Sequence, residues 1–308
     1  MNIIKSEICF YTKVKINLIM NCVAHIVFKF REERIEYLKL IVEEFENYPF
    51  KVDVFIHCDK KLKSNLVIKN YKNGQIFIKT HNLKKYILYK GWKYRLTFKA
   101  RESISKQANN YDIFIYLEDD ILIPKNAINY WLKYKNLCLQ NKLNLGFLRI
   151  EVKDGTEYLS DLTSKLNNEI QINNIKFIIN DLNPYTAFWI YDKKEFKKWL
   201  NSDYYDLKKI HGFNNKNSRV LKFLHLDSIN YLQYLIYDRK HKRIDSVMEA
   251  SAFGLAYPGL KWYENTVIKL ENNKVDRDCL VFHLSNNYVN ENITSMGTLK
   301  LEDLVDFT

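Results

Sequence analysis

The sequence predicts an α/β fold in which a mostly parallel central sheet carries helices on both faces and is followed by an irregular second half. Two observations predict it. Short apolar runs alternate with stretches of helical periodicity from about residue 14 to residue 150, the pattern of repeated strand–helix–strand units. The runs are apolar at successive positions, as expected of strands buried on both faces. Composition agrees with a packed core: 47% of residues are hydrophobic and 15% aromatic, with only 8 Gly and 4 Pro in 308 residues.

In chain order, Val14 to Phe28 reads as a buried strand with its exit loop. Arg31 to Asn47 sets Ile35, Leu38, Ile41, Val42 and Phe45 at helical spacing, and Tyr48-Pro49 stops that helix. Val52 to Ile56 is a second strand ending in His57-Cys58-Asp59, and Gln75 to Lys79, after the Asn73-Gly74 turn, is a third. The helix from Trp92 to Gln107 turns Trp92, Leu96, Ala100 and Ile104 inward and Lys93, Arg95, Lys99 and Arg101 outward. Asp112 to Leu117 is a fourth strand, and Pro124 opens a helix to about Asn141.

Beyond that point Leu145 to Ile150 is strand-like, Tyr158 to Asn174 is polar and loop-rich, and Thr186 to Tyr191 is again a strand. A helix over Asp192 to Leu200 opens with Asp192 and Glu195 at capping-box spacing. Leu226 to Arg239 forms a further helix with Asp227 at its entrance. Neither an internal repeat nor a linker interrupts the pattern, so residues 1–308 read as one domain.

The net charge of +12, from 48 Lys+Arg against 36 Asp+Glu, suggests a polyanionic partner. The excess is diffuse, mostly Lys scattered among Asn, Ile and Tyr, and a compositional drift explains it equally well. Five cysteines (Cys9, Cys22, Cys58, Cys138, Cys279) lie far apart with no CxxC pair, which argues against a zinc site or a disulfide framework and for reduced thiols in a cytoplasmic compartment. The sequon at Asn292-Ile293-Thr294 is too common a pattern to outweigh that. Ile16 to Phe28 is short, interrupted by Asn17, Asn21 and His25, and lacks a small-residue cleavage site. It is read neither as a membrane span nor as a signal peptide. Peripheral contact with a membrane stays open.

Glu118-Asp119-Asp120 directly follows the fourth strand. Adjacent carboxylates raise one another's pKa or demand a cation, and hard oxygen ligands suit Mg²⁺ or Mn²⁺ bridged to phosphates. In parallel sheets ligands bind beyond the carboxyl ends of the strands, where this triplet and Asp59 both fall. The bland alternative is a solvated acidic turn ahead of the Pro124 helix.

At these residues the chain resembles the GT-A class of nucleotide-sugar-dependent glycosyltransferases. Tyr116-Leu117-Glu118-Asp119-Asp120-Ile121 looks like their DXD motif. The resemblance implies a metal ligand at Asp120, a donor-side acid at Glu118 that also reaches the metal, and Asp119 between them. Phe55 to Lys61 is similar to the second strand end of the class, where an acid, here Asp59, meets the nucleoside. It also resembles the His-x-Asp-Lys-Lys phrase of the core-2/xylosyltransferase type, whose members generally lack a DXD.

The resemblance further makes Arg95 and Lys99, on the helix before the acidic strand, candidates for donor contact. Asn183 to Phe188 falls at the donor-sugar loop, without its usual Gly. Asp227 is the implied catalytic base, with Glu249 the second candidate, and His283 matches a C-terminal metal-ligating histidine. Asp227 reads equally as a helix N-cap and His283 as a structural residue. About 14–150 is then the nucleotide-binding half, and about 151–308 the acceptor-binding half with a C-terminal extension.

The implied reaction moves a sugar from a UDP- or GDP-sugar to a hydroxyl of a glycan, lipid-linked or protein acceptor, with Mn²⁺ or Mg²⁺ on the diphosphate and inversion the expected outcome. No nucleic acid is expected on this reading. Two other classes compete. A nucleotidyltransferase would share the acidic metal site but carry an early Gly-rich loop, and residues 14–35 contain none. A non-enzymatic basic module would use Tyr86, Tyr89, Trp92 and Tyr94 among Lys84, Lys85, Lys90, Lys93 and Arg95.

Overall fold

A computed structural model of the chain describes residues 20–63, 67, 70–82, 95–201, 265–291 and 296–305. It is an α/β structure with mixed sheets. The strands β1 (Asn21–Phe28), β2 (Lys51–Cys58), β3 (Ile76–Thr80) and β4 (Ile113–Glu118) are mutually parallel in the order β3-β2-β1-β4. Pairing of Val27 with both His57 and Glu118 aligns the carboxyl ends of the three inner strands.

The first strand explains the layering. Cys22, Ala24, Ile26 and Phe28 face one way, into a core shared with Leu38, Ile41 and Val42 of α1 (Ile35–Glu44). Val23 faces the other way, toward Ala100 and Ile104 of α2 (Arg95–Ser105). Because successive side chains of a strand point to opposite faces, an unbroken apolar run needs a helix on each side. Arg101 does not join the outward face expected of it. It is buried, with its guanidinium 4.8 Å from the Trp199 ring, so the apolar arc of α2 is wider than its charges suggest.

After β4 the chain makes a short strand β5 (Ile121–Leu122), and Pro124 caps α3 (Lys125–Gln140), which packs on the α1 face. The expected single strand over Leu145–Ile150 is two: β6 (Asn144–Leu145) and β7 (Leu148–Lys153), which lie in different sheets. Gly146 makes the crossing. A Cβ there would meet Thr266 Cγ2 at 2.5 Å, so only glycine lets the neighbouring strand approach so closely.

Within the polar stretch expected to be loop-rich, Tyr158 to Asn174, strands take only the end of β8 (Thr156–Leu159) and β9 (Glu169–Ile172), and Leu162 and Leu166 between them are buried. β10 (Ile175–Ile179) follows directly. Next, β11 (Phe188–Asp192) joins the main sheet antiparallel to β4, and α4 (Lys193–Leu200) follows with the Asp192–Glu195 capping box formed. The strands β12 (Thr266–Glu271), β13 (Lys274–Val275) and β14 (Leu280–His283) follow, then the short helix α5 (Asn287–Glu291) and a 3-10 turn over Leu301–Asp303. One small sheet runs β13-β12-β10-β9 with β6 on β12, and another runs β5-β14-β7-β8. Segments from both halves therefore interleave around the end of β4.

Cys22, Cys58, Cys138 and Cys279 are buried free thiols. No helix among the described residues is long and apolar enough to cross a membrane. Of the sequence expectations, the strand start at Val14, the helix over Leu226–Arg239, the sequon and the basic aromatic stretch from Lys84 to Tyr94 lie outside the described residues.

Candidate functional site

The site is assembled at the end of β4 by backbone pairing. Glu118, the strand's last residue, donates its N–H to the carbonyl of Ala187, 3.2 Å away on the approach to β11. Ala187 holds a left-handed φ of 58°, a backbone conformation that glycine adopts most readily. On the other side His283 pairs with Ile121 across β14 and β5, and Leu284 donates to the Asp120 carbonyl at 2.8 Å. The chain segment carrying His283 is thereby stitched to the acidic turn.

Side chains then converge. Asp119 and Asp120 are each only 4% exposed. Arg34, from the turn that leads into α1, spans them: Nη1 lies 2.9 Å from Asp119 Oδ1 and Nη2 lies 3.2 Å from Asp120 Oδ2. The same Asp120 oxygen is 3.3 Å from His283 Nε2. His283 Nδ1 is hydrogen-bonded to Glu151 of β7, and Ser285 Oγ lies 2.8 Å from Nε2. Glu151 also accepts the Val289 N–H at 2.8 Å, which fixes the carboxylate against the start of α5.

Glu118 points to a second group. Its Oε1 accepts from the Tyr185 hydroxyl at 3.2 Å. Tyr185 is carried by a loop built from asparagine side chains, in which Asn180 and Asn183 bond one another and Asn183 Oδ1 accepts the Tyr185 N–H. The Arg149 guanidinium lies 5.3 Å from the Tyr185 ring and 5.8 Å from the Tyr288 ring, and forms two bonds to Asp161.

Five carboxylates (Glu118, Asp119, Asp120, Glu151, Asp161) thus meet two guanidinium groups and one imidazole. In a chain whose net charge is +12, this one place is short of positive charge. The pKa directions follow. Burial and the neighbouring Asp120 push Glu118 up to about 7. Burial and the same neighbour raise Asp119. Burial opposes ionisation of Asp120 as well, but the bond to His283 and the charges of His283 and Arg34 hold it below the usual carboxylate range. His283 is raised, its burial outweighed by its bonds to Asp120 and Glu151.

The residues fit a hard divalent cation in donor chemistry. Asp120 and Glu118 offer carboxylate oxygens, and an imidazole whose Nδ1 is held by a carboxylate presents Nε2 as ligand. Asp119 Oδ2 is buried without a hydrogen-bond partner, an orphan acceptor that a cation would satisfy. Among the described residues no three His, Cys, Asp or Glu side chains already converge as a preformed centre. Arg34 stands between the acids instead.

The remaining expected residues are elsewhere or outside the description. Asp59, at the end of β2, accepts the Phe30 N–H through Oδ1 at 2.9 Å and so ties down the exit of β1. Lys99 pairs with Glu102 one turn along α2 at 2.8 Å. Arg95 is the first residue of α2, and its side chain lies outside the described residues, as do Asp227 and Glu249 entirely. Sequence reasoning missed Arg34, Arg149, Glu151 and Asp161, and placed Tyr185 in the expected donor loop without giving it a role of its own. One signal was available: Arg149 and Glu151 are two apart in an apolar strand, hence on one face, and buried charges of opposite sign there imply partners.

No protein-family model matches the chain, and no curated protein compared with it matches either.

Proposed function

We propose that the chain is a metal-dependent glycosyltransferase of the GT-A kind, moving a sugar from a nucleotide-sugar donor to an acceptor hydroxyl. The observation that carries the reading is the meeting of His283 and Asp120 at 3.3 Å beyond the carboxyl end of β4. A DXD-like acid and a C-terminal histidine, far apart in sequence, share one spot. The parallel order β3-β2-β1-β4 supports the same reading, because the acids lie at the sheet end where ligands of such folds bind.

In this reading Asp120, His283 and Glu118 hold the metal, with Mn²⁺ or Mg²⁺ the expected ion. A divalent cation bound there would neutralise the charge that develops on the leaving diphosphate. The chain's own residues do the rest. Glu151 orients the His283 ring, and the asparagine-built loop holds Tyr185 against Glu118. Arg149, fixed by Asp161 and flanked by Tyr185 and Tyr288, keeps a positive charge beside the donor-side acid. Asp227, with Glu249 as the alternative, takes the proton from the attacking acceptor hydroxyl. The donor is a UDP- or GDP-sugar, and the setting is cytoplasmic, with peripheral membrane contact allowed.

The test is a thermal-shift screen of UDP-, GDP-, CMP- and dTDP-sugars with and without Mn²⁺. One nucleotide class is expected to raise Tm only with metal, and Asp120→Ala is expected to remove the metal-dependent part. Stabilisation by none of the nucleotides, or an undiminished metal effect in D120A, would overturn the reading.

A further inference from the structure

We propose that Arg34 is a built-in counter-cation of the Asp119–Asp120 pair, which the divalent metal must displace, so that metal binds well only together with the nucleotide. The inference rests on the sugar-transfer reading of the acidic site. Arg34 Nη2 is 3.2 Å from Asp120 Oδ2, the same oxygen that faces His283, so guanidinium and metal compete for one acceptor. Its other nitrogen, Nη1, neutralises Asp119 at 2.9 Å while Asp119 Oδ2 stays unpartnered. The pairing is therefore incomplete, and a stronger cation has an acceptor left to gain.

Arg34 stands at the N-terminal boundary of α1, where the helix dipole disfavours positive charge. The acids hold it in place. Its side chain is 21% exposed, against 6% for either aspartate, so the guanidinium has a way to solvent that the carboxylates lack. Displacing it costs the site a charge-assisted hydrogen bond to Asp119 and an ion pair with Asp120. A diphosphate that supplies further oxygens to the metal offsets that cost, which couples the two ligands.

The experiment is calorimetric titration of Mn²⁺ into the full chain, with and without saturating UDP or GDP, for wild type, Arg34→Gln and Arg34→Lys. R34Q is expected to bind Mn²⁺ alone roughly tenfold more tightly than wild type, within the usual range of coupling between sites. Its gain in Mn²⁺ affinity on adding nucleotide is expected to shrink. R34K retains one charge but cannot span both carboxylates, so it is expected to fall between the two and serves if R34Q does not fold. Equal Mn²⁺ affinity in wild type and either folded variant overturns the role of Arg34 alone. Absence of Mn²⁺ binding in wild type and variants, with and without UDP and GDP, overturns the metal reading and this proposal with it.

Discussion

Asp161 grips Arg149 through two hydrogen bonds, 2.7 Å from Nε and 2.5 Å from Nη2, with both side chains almost wholly buried. Burial pulls each group toward its neutral form. The Arg149 pKa is nevertheless raised by Asp161, and Asp161 itself ends above its ordinary value because burial outweighs the guanidinium. Such a pair adds little net stability, yet removing one member strands the other.

Asp161→Ala is therefore expected to destabilise the fold by about 3–5 kcal/mol, the usual cost of an uncompensated buried charge. The double variant Arg149→Met/Asp161→Leu is expected to recover much of that loss, since it removes both charges and keeps apolar volume. Urea unfolding of the two single variants and the double gives the coupling directly. Additive losses would show that the two side chains do not depend on one another.

Glu151 fixes His283, and on the proposed metal reading its substitution separates ring orientation from metal ligation. Glu151→Gln keeps an acceptor for the Val289 N–H and the ring but loses the charge, whereas Glu151→Ala loses both. Partners behind a ligating histidine typically govern ten- to a hundredfold of metal affinity. The expected order of Mn²⁺ affinity is wild type, then E151Q, then E151A, read by calorimetry. An E151A chain that is folded and binds Mn²⁺ as wild type does would remove His283 from the ligand set.

The alternation of apolar runs and helical arcs disclosed the parallel strands because burial on two faces makes most interior positions of β1, β2 and β4 apolar, with His25, Asp53 and His57 the exceptions. The acidic turn was legible for a related reason: three carboxylates after such a run cannot be ordinary core. What sequence did not disclose is the set of partners. Arg34 approaches from the turn before α1, Glu151 from β7 and Tyr185 from the loop before β11, and these contacts are set by tertiary pairing that no local spacing encodes. The misreading of Arg101 has a tertiary cause as well. Arg101 is buried because an aromatic cluster on α4 offers its guanidinium a ring, a compensation invisible along α2 itself.

Gly146 tests how tightly the crossing between sheets is packed. An added Cβ would lie 2.5 Å from Thr266 Cγ2 and 2.8 Å from Ile268 Cδ1, while the Gly146 N–H bonds to the Val267 carbonyl at 2.8 Å. The backbone bond resists the shift that would relieve the clash. Gly146→Ala is expected to cost about 1–3 kcal/mol by urea unfolding, as overpacked sites generally do. A loss below roughly 0.5 kcal/mol, the scatter of ordinary surface substitutions, would mean that β6 and β12 separate freely.

A chain of imidazoles beneath α2 is expected to make the fold sensitive to acid. Gln107 Oε1 lies 2.7 Å from His25 Nε2, His25 Nδ1 lies 2.8 Å from His57 Nε2, and His57 Nδ1 lies 2.9 Å from His81 Nε2. Burial drives His25 down to about 3 and, with help from the neighbouring histidines and Lys79, His57 down to about 2. Both are neutral in the folded chain, whereas the unfolded chain protonates them below about 6.5. Their contribution is thus complete above that pH and is lost as pH falls, by about 1.4 kcal/mol per pH unit for each. Glu118, raised to about 7, acts in the opposite sense over the same range, so the informative quantity is a difference between chains. His57→Asn is expected to lower the slope of unfolding free energy against pH, between pH 5 and 6, by about one proton's worth, or 1.4 kcal/mol per unit. Urea unfolding at several pH values measures both slopes, and slopes that coincide would show that His57 is already protonated in the fold.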